Sequence, residues 1–286
     1  MLQRSTLQLL RFHFSLFLLP VYLFAISQVN NINWPSAILI FVILHALVYP
    51  SSNGYNSYMD RDETPIGGLS KPMQPTRQLY YTSLTMDIIA IGISLFISIY
   101  FSLGILIYIL ASRAYSYRGI RLKKYPIIGY LTVILFQGAE IFMLTYYGSS
   151  QDKTFNMPLA SIVAAACLIG GYYPLTQVYQ HKEDMKDGVK TISYMLGKRG
   201  TFLFCAIVFS VATVAMYITF QQQNNPAFFW LFIICMLPMA LFFSWWMIRV
   251  WKNSEAANFK NSLVMNLLAS VCSSIGFFIM LVQKQF

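Results

Sequence analysis

The chain has 286 residues, of which 57% are hydrophobic and only 10% charged. Soluble domains carry about a quarter charged residues, so this composition excludes one and places the chain in a bilayer. A net charge of +10 raises nucleic acid as a partner, but the basic residues alternate loop by loop, a pattern of membrane topology that decides against nucleic acid.

Apolar stretches of roughly the twenty residues needed to cross a hydrocarbon core recur throughout. They predict an all-α membrane protein of about nine transmembrane helices, near 9–27, 36–56, 79–99, 102–118, 126–147, 157–178, 201–220, 227–249 and 262–282, forming one polytopic domain over residues 1–286. The first run lacks a clear small-residue cleavage site and reads as a span that stays. The second leads into an acid-rich stretch, Asn53 to Glu63, after which Pro65, Gly67, Gly68, Pro72 and Pro75 break any helix and fold the 57–78 loop back over the membrane face. The sixth leads into a second acid-rich stretch, Gln180 to Gly188, followed by a short helix expected over Val189–Leu196 and bounded by Gly188 and Gly197. Arg4 and Arg11, the loops holding Arg61, Lys71 and Arg77, Arg118 to Lys124, Lys182 to Arg199, and Arg249 to Lys260 all fall on one side. Little beyond Lys153 and Lys284 falls on the other. The positive-inside rule then puts the N-terminus and both acid-rich loops in the cytoplasm, with the cell inner membrane as the expected location. Cys167, Cys205, Cys235 and Cys272 are scattered singly in apolar spans and read as small core residues.

The two acid-rich stretches hold six of the ten carboxylates and lie on the same membrane face. At 100° per residue, Asn53, Asn56 and Asp60 fall within about 60° of one another on a helix. Glu183 and Asp187 are four apart, Asp184 and Asp187 three apart, and Gln180 sits one turn before Asp184. Magnesium takes hard oxygen ligands, one or two carboxylates with water and substrate phosphates, which two such faces across a gap can supply. Candidate metal ligands are therefore Asn56, Asp60, Asp62, Glu183, Asp184 and Asp187. A magnesium-bridged diphosphate also needs cations, and Lys71, Arg77, Arg121, Lys123, Lys182 and Lys190, with Arg118 and Lys124, stand in the same loops.

Asn56-x-x-x-Asp60-x-Asp62 with Lys71-Pro72 and Arg77, and Tyr179 to Thr191 with Glu183-Asp184-x-x-Asp187-Gly188-Val189-Lys190, resemble the two aspartate-rich motifs of the UbiA superfamily of intramembrane prenyltransferases. Tyr115-Ser-Tyr117 before Arg118, Arg121 and Lys123 adds to the resemblance, which covers nearly the whole chain. It implies nine helices around a central cavity, two Mg2+ ions held by the motifs, an isoprenyl diphosphate with its tail in an apolar tunnel, and a lipophilic, aromatic acceptor. By position, Asn56, Asp60, Asp184 and Asp187 are the candidate catalytic residues. The chain departs from the pattern at Thr64, where many members have a further aspartate, and at Ser57, where many have aspartate after the asparagine; Asp62 and Glu63 are the available substitutes.

The aromatic wall that would steady an allylic cation has candidates in Tyr55, Tyr58, Tyr115, Tyr117, Tyr172 and Tyr173. Two acids lie inside spans. Asp87 is expected to pair with a loop lysine or arginine; Glu140 either serves an acceptor hydroxyl or bridges helices as a neutral carboxyl. The rival readings are a cyclase of the same superfamily, a noncatalytic relative, and a transporter, whose acids would be expected nearer the midplane.

Overall fold

The computed structural model describes residues 1–285. Its helices in chain order are α1 (Arg4–Gln28), α2 (Trp34–Asp60), α3 (Arg77–Ser94), α4 (Ile99–Ser116), α5 (Pro126–Ser149), α6 (Leu159–Thr176), a short α7 (His181–Lys186), α8 (Ile192–Gln222), α9 (Pro226–Lys252) and α10 (Phe259–Lys284). The described residues form no strand, only the isolated bridges Ile32 to Ser150 and Ile66 to Leu69.

Eight of the nine long helices are long and apolar enough to cross a membrane. The exception is α3, whose Thr82, Ser83, Thr85 and Asp87 dilute its apolar character. The bundle is greasy outside as well as inside: Ile88, Ile207, Ile234 and Leu241 are each more than half exposed, as suits a lipid-facing surface.

Local chemistry sets the helix starts. Asn33 accepts from the Ser36 amide at 3.0 Å ahead of α2, and Ser98 accepts from the Phe101 amide at 3.0 Å ahead of α4. The Ser98 cap starts α4 at Ile99, ahead of the expected 102, and α3 stops at Ser94 where a span to 99 was expected. The short helix expected before the seventh span is present over 192–196: Thr191 caps it, starting it three residues later than expected, and Gly197, non-helical at φ 68°, separates it by a kink from the spanning part of α8.

Close packing shapes the interior. α6 lies along α8, and α10 lies against both α9 and α1. α5 crosses α6 at Gly138, where a Cβ would come within 2.6 Å of the Ala166 Cα, so only a glycine allows that approach. Both α2 and α5 contain a π-helical turn, Ile43–Val48 and Ile134–Glu140.

The loop after α2 folds back as its prolines and glycines predict. Gln8 of α1 donates to the Lys71 carbonyl at 3.2 Å and accepts from the Met73 amide at 2.8 Å. Asp87 pairs not with a loop cation but with Arg113 of α4, and Ser51 of α2 donates to the same carboxylate at 2.5 Å. The reason is register: α3 packs on both α2 and α4, which brings Arg113 alongside Asp87.

Candidate active site

A cavity of about 290 Å³ runs down the middle of the bundle, with both acid-rich segments at one end. Asn53, Asn56 and Asp60 reach it from the last turns of α2, which continues as helix to Asp60 and stops where Arg61 turns left-handed at φ 56°. Asn56 Nδ2 donates to Ser116 Oγ on α4 at 2.9 Å, which turns the amide oxygen away from α4. Asp62 and Thr64 line the cavity from the loop that follows, and Gln180, Glu183, Asp184 and Asp187 line it from α7 and its flanks. His181 fixes α7 by a 2.8 Å hydrogen bond to Ser193.

The α4–α5 loop ties the two segments together. Lys123 forms a short ion pair with Asp60; Arg121 pairs with Asp60 at 3.4 Å, makes a short ion pair with Asp187, and donates to the Asp187 carbonyl at 3.1 Å. Arg118 donates to the Met59 carbonyl at 2.8 Å and reaches Asp187 at 3.4 Å. Lys71, Arg77, Lys182 and Lys190 are exposed and lie outside the cavity wall, so of the six cations read from the sequence only Lys123 lines it and Arg121 buttresses it.

The sequence pointed to Arg11 only as a topological charge, yet it is a cavity residue. It is 6% exposed, lines the acid end, and donates to the Gly67 carbonyl at 3.2 Å and the Asn53 carbonyl at 3.3 Å. The signal was available in a lone arginine within Leu9-Leu10-Arg11-Phe12, since a charge inside an apolar run needs a partner. Of the tyrosines singled out, Tyr115, Tyr172 and Tyr173 line the cavity, and the hydroxyls of Tyr115 and Tyr173 share a short hydrogen bond. Tyr55, Tyr58 and Tyr117 lie outside the lining.

The donor set suits a hard divalent cation. Asp184 Oδ2 is buried with no hydrogen-bond partner, and burial pushes this carboxyl up to about 7; Lys123 opposes the shift, while Asp62, Asp60 and Asp187 add to it. Burial, then the charge of Asp60, lifts Asp62 to about 6. Burial would raise Asp187 too, but the hydrogen bond and charge of Arg121 hold it below the usual carboxylate range. Among the described residues no three His, Cys, Asp or Glu side chains form a ready-made metal cage. That fits magnesium, which completes its shell with water and phosphate, better than a metal held by protein alone.

A helical membrane bundle around a cavity with carboxylates and cations at one end is the arrangement expected of an intramembrane prenyltransferase. A sequence profile of the UbiA prenyltransferase family matches residues 16–270, and the chain belongs to that family. It is thus an integral, multi-pass membrane protein. Its fold is similar to that of a UbiA homologue from Archaeoglobus fulgidus bound to DMAPP and Mg2+, 19% identical, with a TM-score of 0.70 over 97% of this chain and 99% of that one. A UbiA homologue from Aeropyrum pernix K1 without ligand is 16% identical, with a TM-score of 0.70 over 94% and 98% of the two chains. A digeranylgeranylglyceryl phosphate synthase is 17% identical, with a TM-score of 0.62 over 98% of each chain. No curated protein matches the sequence.

Proposed function

We propose that this protein is a Mg2+-dependent prenyltransferase that moves an isoprenyl group from its diphosphate to a lipophilic, aromatic acceptor and releases pyrophosphate. The observation that carries the reading is the convergence of Asn56, Asp60, Asp62 and Asp184, with Lys123, at one end of a cavity whose walls below are largely apolar and aromatic. The DMAPP and Mg2+ bound by the Archaeoglobus homologue support the donor class and the metal.

Asn56, Asp60, Asp62 and Asp184 would hold the metal, with Gln180 and Glu183 at the margin. Magnesium, when bound, neutralises the diphosphate so that the allylic C–O bond can break. Lys123 lies against Asp60 and is placed to pass to a phosphate oxygen as the carboxylate is engaged. Arg121 keeps Asp187 as a brace between the α4–α5 loop and α7 rather than as a ligand. Tyr115, Tyr172 and Tyr173 line the cavity, where their rings would steady an allylic cation formed below the acids and the apolar wall would keep water from capturing it. The basic residues of the loops on that side support a cytoplasmic acid end, where a donor's diphosphate would enter from the cytoplasm.

Asp60→Ala and Asp184→Ala, each purified in lipid nanodiscs, are expected to lower pyrophosphate release at least about a thousandfold with the thermal transition retained. Near-normal turnover in both variants contradicts the reading.

A further inference from the structure

The cavity has a floor. Among the described residues its lining ends at Phe24 on α1, Tyr49 on α2, Tyr108 on α4, Gln137 on α5, Ala165 on α6 and Ser273 on α10. At about 1.5 Å per residue, Phe24 lies about 20 Å below Arg11, Tyr49 about 16 Å below Asp60 and Ala165 about 16 Å below Thr176. Helices running in both directions thus stop lining it at a similar depth, inside the membrane.

What closes it is aromatic. Phe24 is fully buried, stacks on Phe277 of α10 with ring centroids 4.7 Å apart, and lies 5.2 Å from the ring of Phe142 of α5. Phe232 of α9 stacks behind Phe277 at 5.9 Å. Phe142 stands five residues beyond Gln137 and Phe277 four beyond Ser273, so this layer lies directly under the end of the lining. Rings packed in this way fill space as densely as an organic crystal, and a chain end can enter among them only by forcing them apart. Above the floor, Phe14, Phe17, Leu18 and Val21 give α1 an apolar flank. Ser270 of α10 donates to the Leu16 carbonyl at 2.9 Å, which ties α10 to α1 on the side where a tail would otherwise slip out into lipid.

We infer that the layer of Phe24, Phe142 and Phe277 is a chain-length stop, and that the donor is a short isoprenyl diphosphate. An extended hydrocarbon advances about 1.2–1.3 Å per C–C bond of about 1.5 Å, so each isoprenyl unit, four bonds along the chain, adds about 5 Å. With the diphosphate and its metal beside the acids, a farnesyl tail is the longest that lies extended above the rings. Geranylgeranyl meets them, and longer polyprenyl tails are excluded. The inference rests on the prenyltransferase reading and narrows its donor.

The test is equilibrium binding, with Mg2+, of geranyl, farnesyl, geranylgeranyl and octaprenyl thiolodiphosphates to the protein in nanodiscs, each donor's concentration counted per lipid. In the wild type, farnesyl is expected to bind about tenfold or more tightly than octaprenyl. Phe24→Ala removes the ring at the end of the lining and is expected to move the preference between farnesyl and geranylgeranyl about fivefold to tenfold toward the longer donor. The thermal transition reports whether the variant is folded; if it is not, Phe24→Leu stands in, with a smaller shift in the same direction. Octaprenyl binding as tightly as farnesyl in the wild type, or a length order that the substitution leaves unchanged, overturns the inference and leaves the prenyltransferase reading in place. Failure of every donor to bind, geranyl included, overturns that reading, and the inference falls with it.

Discussion

Asp184 and Asp62 hold their protons unusually well for carboxylates, at about 7 and about 6, because both are buried and share one end of the cavity with Asp60. A divalent cation binds the deprotonated form, so protons and metal compete there. Raising the pH from 6 to 8 removes those protons, and affinity for Mn2+, read by electron paramagnetic resonance without substrate, is expected to rise by about tenfold or more. A flat profile would mean that neither carboxylate is a ligand. Spacing alone announced Asp60, on a helical stripe with Asn53 and Asn56, and Asp184, three residues before Asp187 and one turn after Gln180. It did not announce that Asp187 pairs with Arg121, because that pairing depends on where the α4–α5 loop lands.

At the scale of elements, the α4–α5 loop does what a metal would otherwise do: its cations neutralise the acids of α2 and the α7 segment. If Asp60 is a metal ligand as proposed, metal binding would displace Lys123 from it and a diphosphate would offer that lysine a new partner, so the two ligands would help each other bind. In Lys123→Met, Mn2+ is expected to bind more tightly than in the wild type when alone, and to gain less from added inorganic pyrophosphate. Equal enhancement by pyrophosphate in both proteins would remove Lys123 from the exchange. Behind α2, the Asp87–Arg113 pair is a separate brace, with side chains 6% and 17% exposed. Asp87→Ala strands the arginine and is expected to cost about 3–5 kcal/mol in detergent unfolding, most of it recovered in Asp87→Leu/Arg113→Met. Helix placement along the chain was legible from hydropathy, but the ends of α3 and α4 were not, since one serine cap sets them, and nothing in the pattern signalled the π-helical turns.

For the whole molecule, span count and the two acid stretches were enough to read a multi-pass UbiA-family membrane protein with its acids gathered at one end of a cavity, because each is a one-dimensional property of the chain. The lining of the cavity is a three-dimensional one. Lys71, Arg77, Lys182 and Lys190 sit in the right loops but point away, whereas Arg11, Tyr49 and Gln137 lie deep in apolar runs and turn inward. The central claim is that this end of the cavity ionises an isoprenyl diphosphate with the help of magnesium. Its most direct test is pyrophosphate release by the purified protein in nanodiscs, given geranyl, farnesyl and geranylgeranyl diphosphates with and without Mg2+ and with membrane lipid extract as acceptor source. The account predicts release from at least one donor that is abolished by chelation and restored by Mg2+. No release from any donor, or release indifferent to the metal, would contradict it.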